Sequence, residues 1–385
     1  MSIKEPHSHD SVQQRAQLRH VKRVVVKIGS ASLSDATAGL AIDKIESYCA
    51  QICALTAQGI EVVLVSSGAI SAGCQKLGWA TRPVTVHQLQ AAAAVGQMGL
   101  VQAYEAALGA HGTRSAMIVL THDDLADRER YLNARATIGQ LLELGVVPVI
   151  NENDTVATEE IRFGDNDTLA ALVANLISAD LLVILTDVAG LMDADPRHNS
   201  SAQRISCRRA QDATLDAVAS ARTGSLGSGG MITKLRASRL AARSGAHTVI
   251  ASGHAEGVLG RVINGEDIGT LLTADLTPMT ARKRWIAGQL RAKGDLIIDA
   301  GAVQALQEQG VSLLAVGVRS IVGSFQRGEM VRLLDPEGHT IAQGLVNYSS
   351  EDVTKLIGVR SEDFSQRIEY VGEPELVHRD NLVVI

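Results

Sequence analysis

A chain of 385 residues is too long for one ordinary domain, and a prior of about 150 residues per domain gives two or three. Hydrophobic residues make up 46% but aromatic ones only 3%, so the core has to be built mostly from Ala, Val, Leu and Ile. A formal net charge of -6 shows no electrostatic signature of a nucleic-acid or membrane partner.

Residues 1–20 form a polar N-terminal extension. Lys4, Arg15 and Arg19 lie in it without an apolar centre, which excludes a secretory signal, and a disordered or loosely attached segment is expected. From Val24 the pattern becomes strand, helix, strand, helix. Val24 to Ile28 is a β-branched run closed by Gly29-Ser30. Ile42, Ile45, Cys49, Ile52 and Cys53 then recur at helical spacing until Gly59. Val62 to Val65 is a strand followed by Ser66-Ser67-Gly68-Ala69, and Thr85 to Leu108 is an Ala-rich helix. Met117 to Leu120 is a strand, Tyr131 to Leu144 a helix, and Gly145 to Ile150 another strand. After Asn151 the chain is densely polar, and a helix resumes at Asp167. Leu181 to Thr186 and Thr248 to Ala251 are strands on either side of a helix from Gly230 to Ser244. Apolar strands alternating with helices specify a mostly parallel sheet covered on both faces, a three-layer α/β/α sandwich spanning residues 21–275.

Residues 276–292 read as a linker, and residues 293–385 as a small β-rich domain. Its expected strands are Leu296 to Ile298, Leu313 to Val316, Met330 to Leu333 and Ile341 to Val346, with one helix at Ala302 to Gln309. The four cysteines, Cys49, Cys53, Cys74 and Cys207, have no paired metal spacing, and the first two fit a buried helix face. No disulfide framework is visible, which points to a reducing cytoplasm. No apolar run reaches the roughly 18 residues that a transmembrane helix needs.

Five places at the ends of expected strands gather polar or glycine residues, and ligands of open α/β sheets bind at that edge. The densest runs from Asn151 to Asp167, where Asn151, Glu152, Asn153, Asp154, Asp165, Asn166 and Asp167 flank a short spacer. A helix cap would need one such residue, so a binding loop is the better reading. Lys27 stands in an apolar strand beside Gly29, which suits an anion but also a lysine snorkelling at an edge. Ser66-Ser67-Gly68-Ala69 offers N–H donors and hydroxyls, and an ordinary helix start with close packing explains it equally well. Thr186-Asp187, with Gly190, Asp193, Asp195 and Pro196 behind, reads as a nucleotide-facing loop or a plain turn. Gly227-Ser228-Gly229-Gly230-Met231-Ile232-Thr233-Lys234 places a lysine in the first turn of a helix, which disfavours the helix unless a polyphosphate binds there. No Gly-Lys dipeptide occurs, which removes a Walker loop, and no Gly-x-Gly-x-x-Gly follows a strand.

Together these segments resemble the amino acid kinase family, and within it the branch that phosphorylates glutamate. The resemblance is carried by Val25-Val26-Lys27-Ile28-Gly29-Ser30, by Val65-Ser66-Ser67-Gly68-Ala69-Ile70 and by Asp127 to Arg135. To these add PVINEND (148–154), FGDND (163–167), LTDVAGL (185–191) and SGGMITK (228–234). Residues 293–385 resemble the PUA domain that many such kinases append. Ser66 and Ser228 stand where the family pattern has Thr, and both keep the hydroxyl.

The resemblance implies ATP-dependent phosphorylation of the side-chain carboxylate of L-glutamate, the first step of proline biosynthesis. Lys27, Lys234 and Asp167 would be catalytic, with the lysines bracketing the transferring phosphoryl group. Ser67, Gly68, Asp154 and Asn166 would hold glutamate. Lys27, Thr186, Asp187, Ser228, Gly229, Gly230, Met231, Ile232, Thr233 and Lys234 would hold ATP, with Mg²⁺ carried mainly on its phosphates and no protein ligand assignable. Proline as feedback inhibitor and a homodimer or homotetramer are further implications. N-acetylglutamate, aspartate and uridylate kinases are the nearest rivals, and the NEND and GDND segments speak against them. An RNA-binding role for the tail is the rival from another class. Acidic residues outnumber basic ones between Lys293 and Val371, which opposes binding to a phosphate backbone.

Overall fold

The computed structural model describes residues 8–35, 39–157, 166–194, 199, 201–216, 230–277, 280, 292–369 and 371–385. The chain divides into two units, Met1–Pro278 and Met279–Ile385. Most of the expected linker at 276–292 lies outside the described residues.

In the first unit, α1 (Ser8–Ala16) leads to β1 (Arg23–Ile28), α2 (Ser30–Leu33), a short pairing of β2 (Ser34–Asp35) with β3 (Gly39–Leu40), and α3 (Ile42–Thr56). Next come β4 (Glu61–Ser66), α4 (Ala69–Lys76), α5 (Val86–Gly109), β5 (Arg114–Leu120), α6 (His122–Ala126), α7 (Arg128–Glu143) and β6 (Val146–Glu152). The unit is completed by α8 (Asn166–Leu176), β7 (Leu181–Thr186), β8 (Cys207–Arg209), α9 (Met231–Arg243), β9 (His247–Ser252), α10 (Val258–Ile263) and β10 (Thr270–Thr273). Eight of these strands form one sheet in the order β5-β6-β4-β1-β7-β9-β10-β8. Only the β9–β10 pair is antiparallel.

Register decides where the strands end. Ile28 is level with Ser66 on one side and Leu185 on the other. Val65 is level with Ile150, and Thr186 with Ser252. The residues just past these positions therefore emerge along one edge of the sheet. Alternation decides which face each side chain takes. Val24, Val26 and Ile28 pack with Ile45, Ile52, Leu100 and Tyr104 on the face covered by α3 and α5. Val25 packs with Leu169, Val173 and Leu235 on the opposite face, under α8 and α9. Lys27 shares the parity of Val25 and so points toward α8 and α9.

The expectation of a loosely attached N-terminus does not hold for residues 8–20. Arg15 is 2% exposed and donates to the carbonyls of Ser206, Glu266, Ile268 and Gly269, and Leu18 is fully buried. The segment reads as polar in sequence, but its buried Arg15 is satisfied by main-chain carbonyls, partners that composition cannot show. Among the described residues no helix is long and apolar enough to cross a membrane. Cys49, Cys53, Cys74 and Cys207 form no disulfide.

The second unit holds β11 (Gly294–Ile298), α11 (Ala300–Gln304), β12 (Val318–Gly323), β13 (Met330–Leu334), β14 (Thr340–Leu345), α12 (Ser350–Leu356) and β15 (Leu382–Val384). Its sheet runs β12-β11-β13-β14-β15 over a core in which Tyr348 meets Phe364 edge to face at 5.7 Å. The expected strand at Leu313 to Val316 is instead a single bridge from Leu313 to Val377 followed by a 3-10 turn, Ala315–Gly317. Leu313 and Ala315 are buried, so the run is apolar for packing without carrying a strand ladder.

Candidate active site

Lys27 is the one charged residue of β1 that is buried, and its parity carries it to the start of α8. There its Nζ lies 2.6 Å from Oδ1 of Asp167. The other oxygen, Oδ2, is 3.0 Å from Lys234 Nζ and accepts a 3.0 Å hydrogen bond from Thr233 Oγ1. The three charged side chains are 8%, 1% and 7% exposed, so water screens them little. Burial alone would push the Asp167 carboxyl up, but the facing lysines outweigh it and hold it below the usual carboxylate range. Two ammoniums on one carboxylate leave a formal surplus of one positive charge. The N-termini of α8 and α9 add their partial positive charges at the same place.

Lys234 reaches this point because α9 begins at Met231, directly after Gly230. Thr233 Oγ1 also lies 2.8 Å from the Gly230 carbonyl, which ties the first turn together. Met231 is buried in the apolar core instead of facing the edge of the sheet. Ser228 and Gly229 lie outside the described residues. Gly29, directly after β1, leaves room that a side chain would take up, since a Cβ there would stand 3.5 Å from Lys27 Nζ. Thr186 closes β7 on the far side of β1, and its Oγ1 donates to Asp187 Oδ1 at 3.0 Å. Its carbonyl accepts from Gly253 N at 2.8 Å, which fixes the end of β7 against β9.

On the β4 side, Asn166 is the neighbour of Asp167 in the first turn of α8, and successive helical residues point about 100° apart. Asp167 therefore meets the lysines while Asn166 turns to Ser67. Asn166 Nδ2 donates to Ser67 Oγ and to the Ser66 carbonyl, both at 2.8 Å, and to Asn151 Oδ1 at 3.2 Å. Gly68 follows with φ +110°, a conformation that strains any residue with a side chain, and it starts α4. Gly73 belongs to a different job. A Cβ there would overlap the Ala92 carbonyl, so it permits the close approach of α4 to α5. The close-packing reading of this glycine-rich turn thus applies at Gly73. Asp154 sits half-buried on the turn that leaves β6, three residues beyond Asn151.

The structure thus brings Lys27, Asp167 and Lys234 into one cluster and Ser67 with Asn166 into a second, with α8 beginning between them. Residues 158–165, which include Asp165 and most of the spacer, lie outside the described residues, as do Asp195 and Pro196. Sequence reasoning missed Gln97 and Tyr104 and gave Asn151 no role. Gln97 Oε1 accepts from Asn151 Nδ2 at 2.8 Å, and Tyr104 OH pairs with Ser66 Oγ at 2.8 Å. The only signal in sequence is that both are polar-tipped residues seven apart in an Ala-rich helix.

A sheet edge with two buried lysines on one carboxylate and helix starts on either side has the charge to receive a phosphate group. Comparison with known proteins gives the class to which the chain belongs. The model of the amino acid kinase family matches residues 22–252, and that of the PUA domain matches residues 294–368. The chain belongs to the amino acid kinase family. Within that family the chain is similar, nearly end to end, to glutamate 5-kinases. That of Hahella chejuensis is 55% identical over 97% of both chains. That of Chromohalobacter salexigens is 58% identical over 96% of this chain and 98% of its own. That of Pseudomonas syringae pv. tomato is 57% identical over 96% of this chain and all of its own.

Proposed function

We propose that this chain is a glutamate 5-kinase, transferring the γ-phosphoryl group of ATP to the side-chain carboxylate of L-glutamate at the entry to proline biosynthesis. The observation that carries the reading is the Asp167 carboxylate shared by Lys27 and Lys234 beside the Asn166–Ser67 pair. Transfer of a phosphoryl group asks the protein for alignment and for neutralisation of charge on the equatorial oxygens, not for covalent help. Asp167 holds the two ammoniums apart and in place, and their surplus charge meets the phosphate. The acceptor carboxylate is already ionised at neutral pH, so no general base is needed. The bond from its oxygen to the γ-phosphorus forms as the bond to the β-bridging oxygen breaks, giving an acyl phosphate and ADP. Ser67, Asp154 and Asn166 present oxygens that suit the α-ammonium and fix the acceptor opposite the lysines.

Mg²⁺ does not fit the described residues as a protein-held ion. Both oxygens of Asp167 are engaged by lysines, and among the described residues no three His, Cys, Asp or Glu gather as a metal site. It belongs with the phosphates of ATP, where it would neutralise charge. Feedback by proline, a dimer or tetramer, and a cytoplasmic location complete the reading. Adding proline to the assay and measuring mass in solution check the first two.

A coupled ADP-release assay with a panel of acidic amino acids, trapping the acyl phosphate with hydroxylamine, tests the function. L-Glutamate should yield the hydroxamate. Phosphorylation of N-acetylglutamate and not of glutamate would overturn the assignment. Lys234→Ala should lose turnover by more than about a hundredfold while remaining folded. Wild-type turnover in that variant would reduce the start of α9 to a structural element.

A further inference from the structure

Gln97 and Tyr104 lie seven residues apart on α5, two turns of helix, and so project from one face. That face grips the amino-acid side of the site at two points. Tyr104 holds Ser66 through its hydroxyl, and burial pushes the phenol up, keeping it protonated. Gln97 begins a chain of carboxamides that runs through Asn151 to Asn166 and ends on Ser66 and Ser67.

The polarity of that chain is dictated at one point. A main-chain carbonyl only accepts, so Asn166 must turn Nδ2 to the Ser66 carbonyl. Asn151 must then offer Oδ1 to Asn166 and Nδ2 to Gln97, and Gln97 must present Oε1. Asn166 Oδ1 takes part in none of these bonds, which makes it the acceptor available to a ligand. The Ser66 carbonyl fixes which way Asn166 faces, and Asn151, held in turn by Gln97, fixes where its carboxamide sits.

We propose that Gln97 is a positioning residue for amino-acid recognition, acting through Asn151 to hold Asn166 with its carboxamide oxygen turned toward the α-ammonium of the substrate. The proposal rests on the reading that glutamate is the acceptor and that Asn166 meets its ammonium. Gln97 touches neither the lysines nor Asp167, so its effect belongs to amino-acid affinity and not to the chemical step.

The test compares Gln97→Met, Asn151→Ala and the double variant of the full chain, measuring KM for L-glutamate and for ATP and kcat separately. Gln97→Met should raise KM for glutamate about tenfold, the size of one lost hydrogen bond. KM for ATP and kcat should stay within about twofold of wild type. In the Asn151→Ala background the same substitution should change nothing further, because its route is already cut. Where Asn151→Ala is too slow to assay, Kd for glutamate by calorimetry completes the cycle. Gln97→Glu, which keeps an accepting oxygen toward Asn151, should lie closer to wild type than Gln97→Met. An unchanged KM for glutamate overturns the proposal. So does an additive effect in the Asn151→Ala background, or a parallel loss in KM for ATP, kcat and thermal stability. If wild-type protein gives no hydroxamate with glutamate, the substrate reading falls instead, so the two failures are distinguishable.

Discussion

Asp167 shows at the scale of one residue how a buried charge is made useful. A carboxylate 1% exposed would be expelled or neutralised if it stood alone, yet two lysines hold it ionised. The arrangement works in both directions, because the same carboxylate gives two buried lysines an ion-pair partner inside the protein. Asp167→Asn removes the shared partner and leaves like charges facing each other. It should lower kcat by more than about a hundredfold. It should also cost about 3 to 5 kcal/mol of stability in chemical denaturation, the usual result of breaking a buried pair from one side. The pH dependence has a definite sign. The folded carboxyl sits below its unfolded value of 3.8, so its contribution is full above that value and is lost as pH falls through the folded one. The stability gap between wild type and variant should therefore stay level from neutral pH down to about 5 and narrow only below about 4. A gap that closes near pH 6 would mean that Asp167 is not the charged partner of these lysines.

At the scale of elements, α4 and α5 set the amino-acid side of the site by how closely they pack. A Cβ at Gly96 would overlap the Ala69 carbonyl, as one at Gly73 would overlap that of Ala92. Ala69 is the first residue of α4, directly after Ser67 and Gly68, so separating the helices moves the turn that faces Asn166. Gly96→Ala should cost about 1 to 3 kcal/mol as overpacking and raise KM for glutamate more than KM for ATP. Unchanged values in both would show that the pair tolerates a wider spacing. Contacts of this kind explain what was legible in the sequence. The central strands and long helices could be read because β1, β4 and β7 are β-branched or leucine runs and α3 has a 3.6-residue period. β8 and β10 were not legible, being three and four residues long and defined by pairing with distant strands, β8 with β10 and β10 also with β9. β12 escaped because most of its residues are exposed, so it shows no apolar alternation. At the site, Lys27, Asp167 and Lys234 carried a resemblance. Gln97 and Asn151 lie 54 residues apart and meet only through strand register and helical phase.

Over the whole of the first unit, the N-terminal segment completes the last strands of the sheet. Arg15 donates to the carbonyls of Ser206, Glu266, Ile268 and Gly269, which flank β8 and β10, and stands 3.0 Å from Asp267. These groups are more than 190 residues away in the chain, so one side chain joins the beginning of the unit to its end. Burial lowers the guanidinium's pKa from its ordinary value, with Asp267 opposing the shift. Asp267 is 58% exposed and also pairs with Arg204 at 3.0 Å, so it remains satisfied if Arg15 is lost. The Ser206, Glu266 and Gly269 carbonyls keep Leu271 N, Ile268 N and Arg204 Nη1 as donors, so the cost falls on the Ile268 carbonyl and on the packing of the buried guanidinium. Arg15→Ala should lower stability by about 2 to 4 kcal/mol, since buried acceptors lose a charged donor. Arg15→Lys should recover only part of it, because an ammonium cannot spread its donors over four carbonyls as the guanidinium fork does. Arg15 lies on none of the elements that meet at Asp167, so kcat measured well below the unfolding transition should stay within about twofold of wild type. A denaturation midpoint equal to that of wild type would mean that residues 8–20 rest on the sheet without holding it.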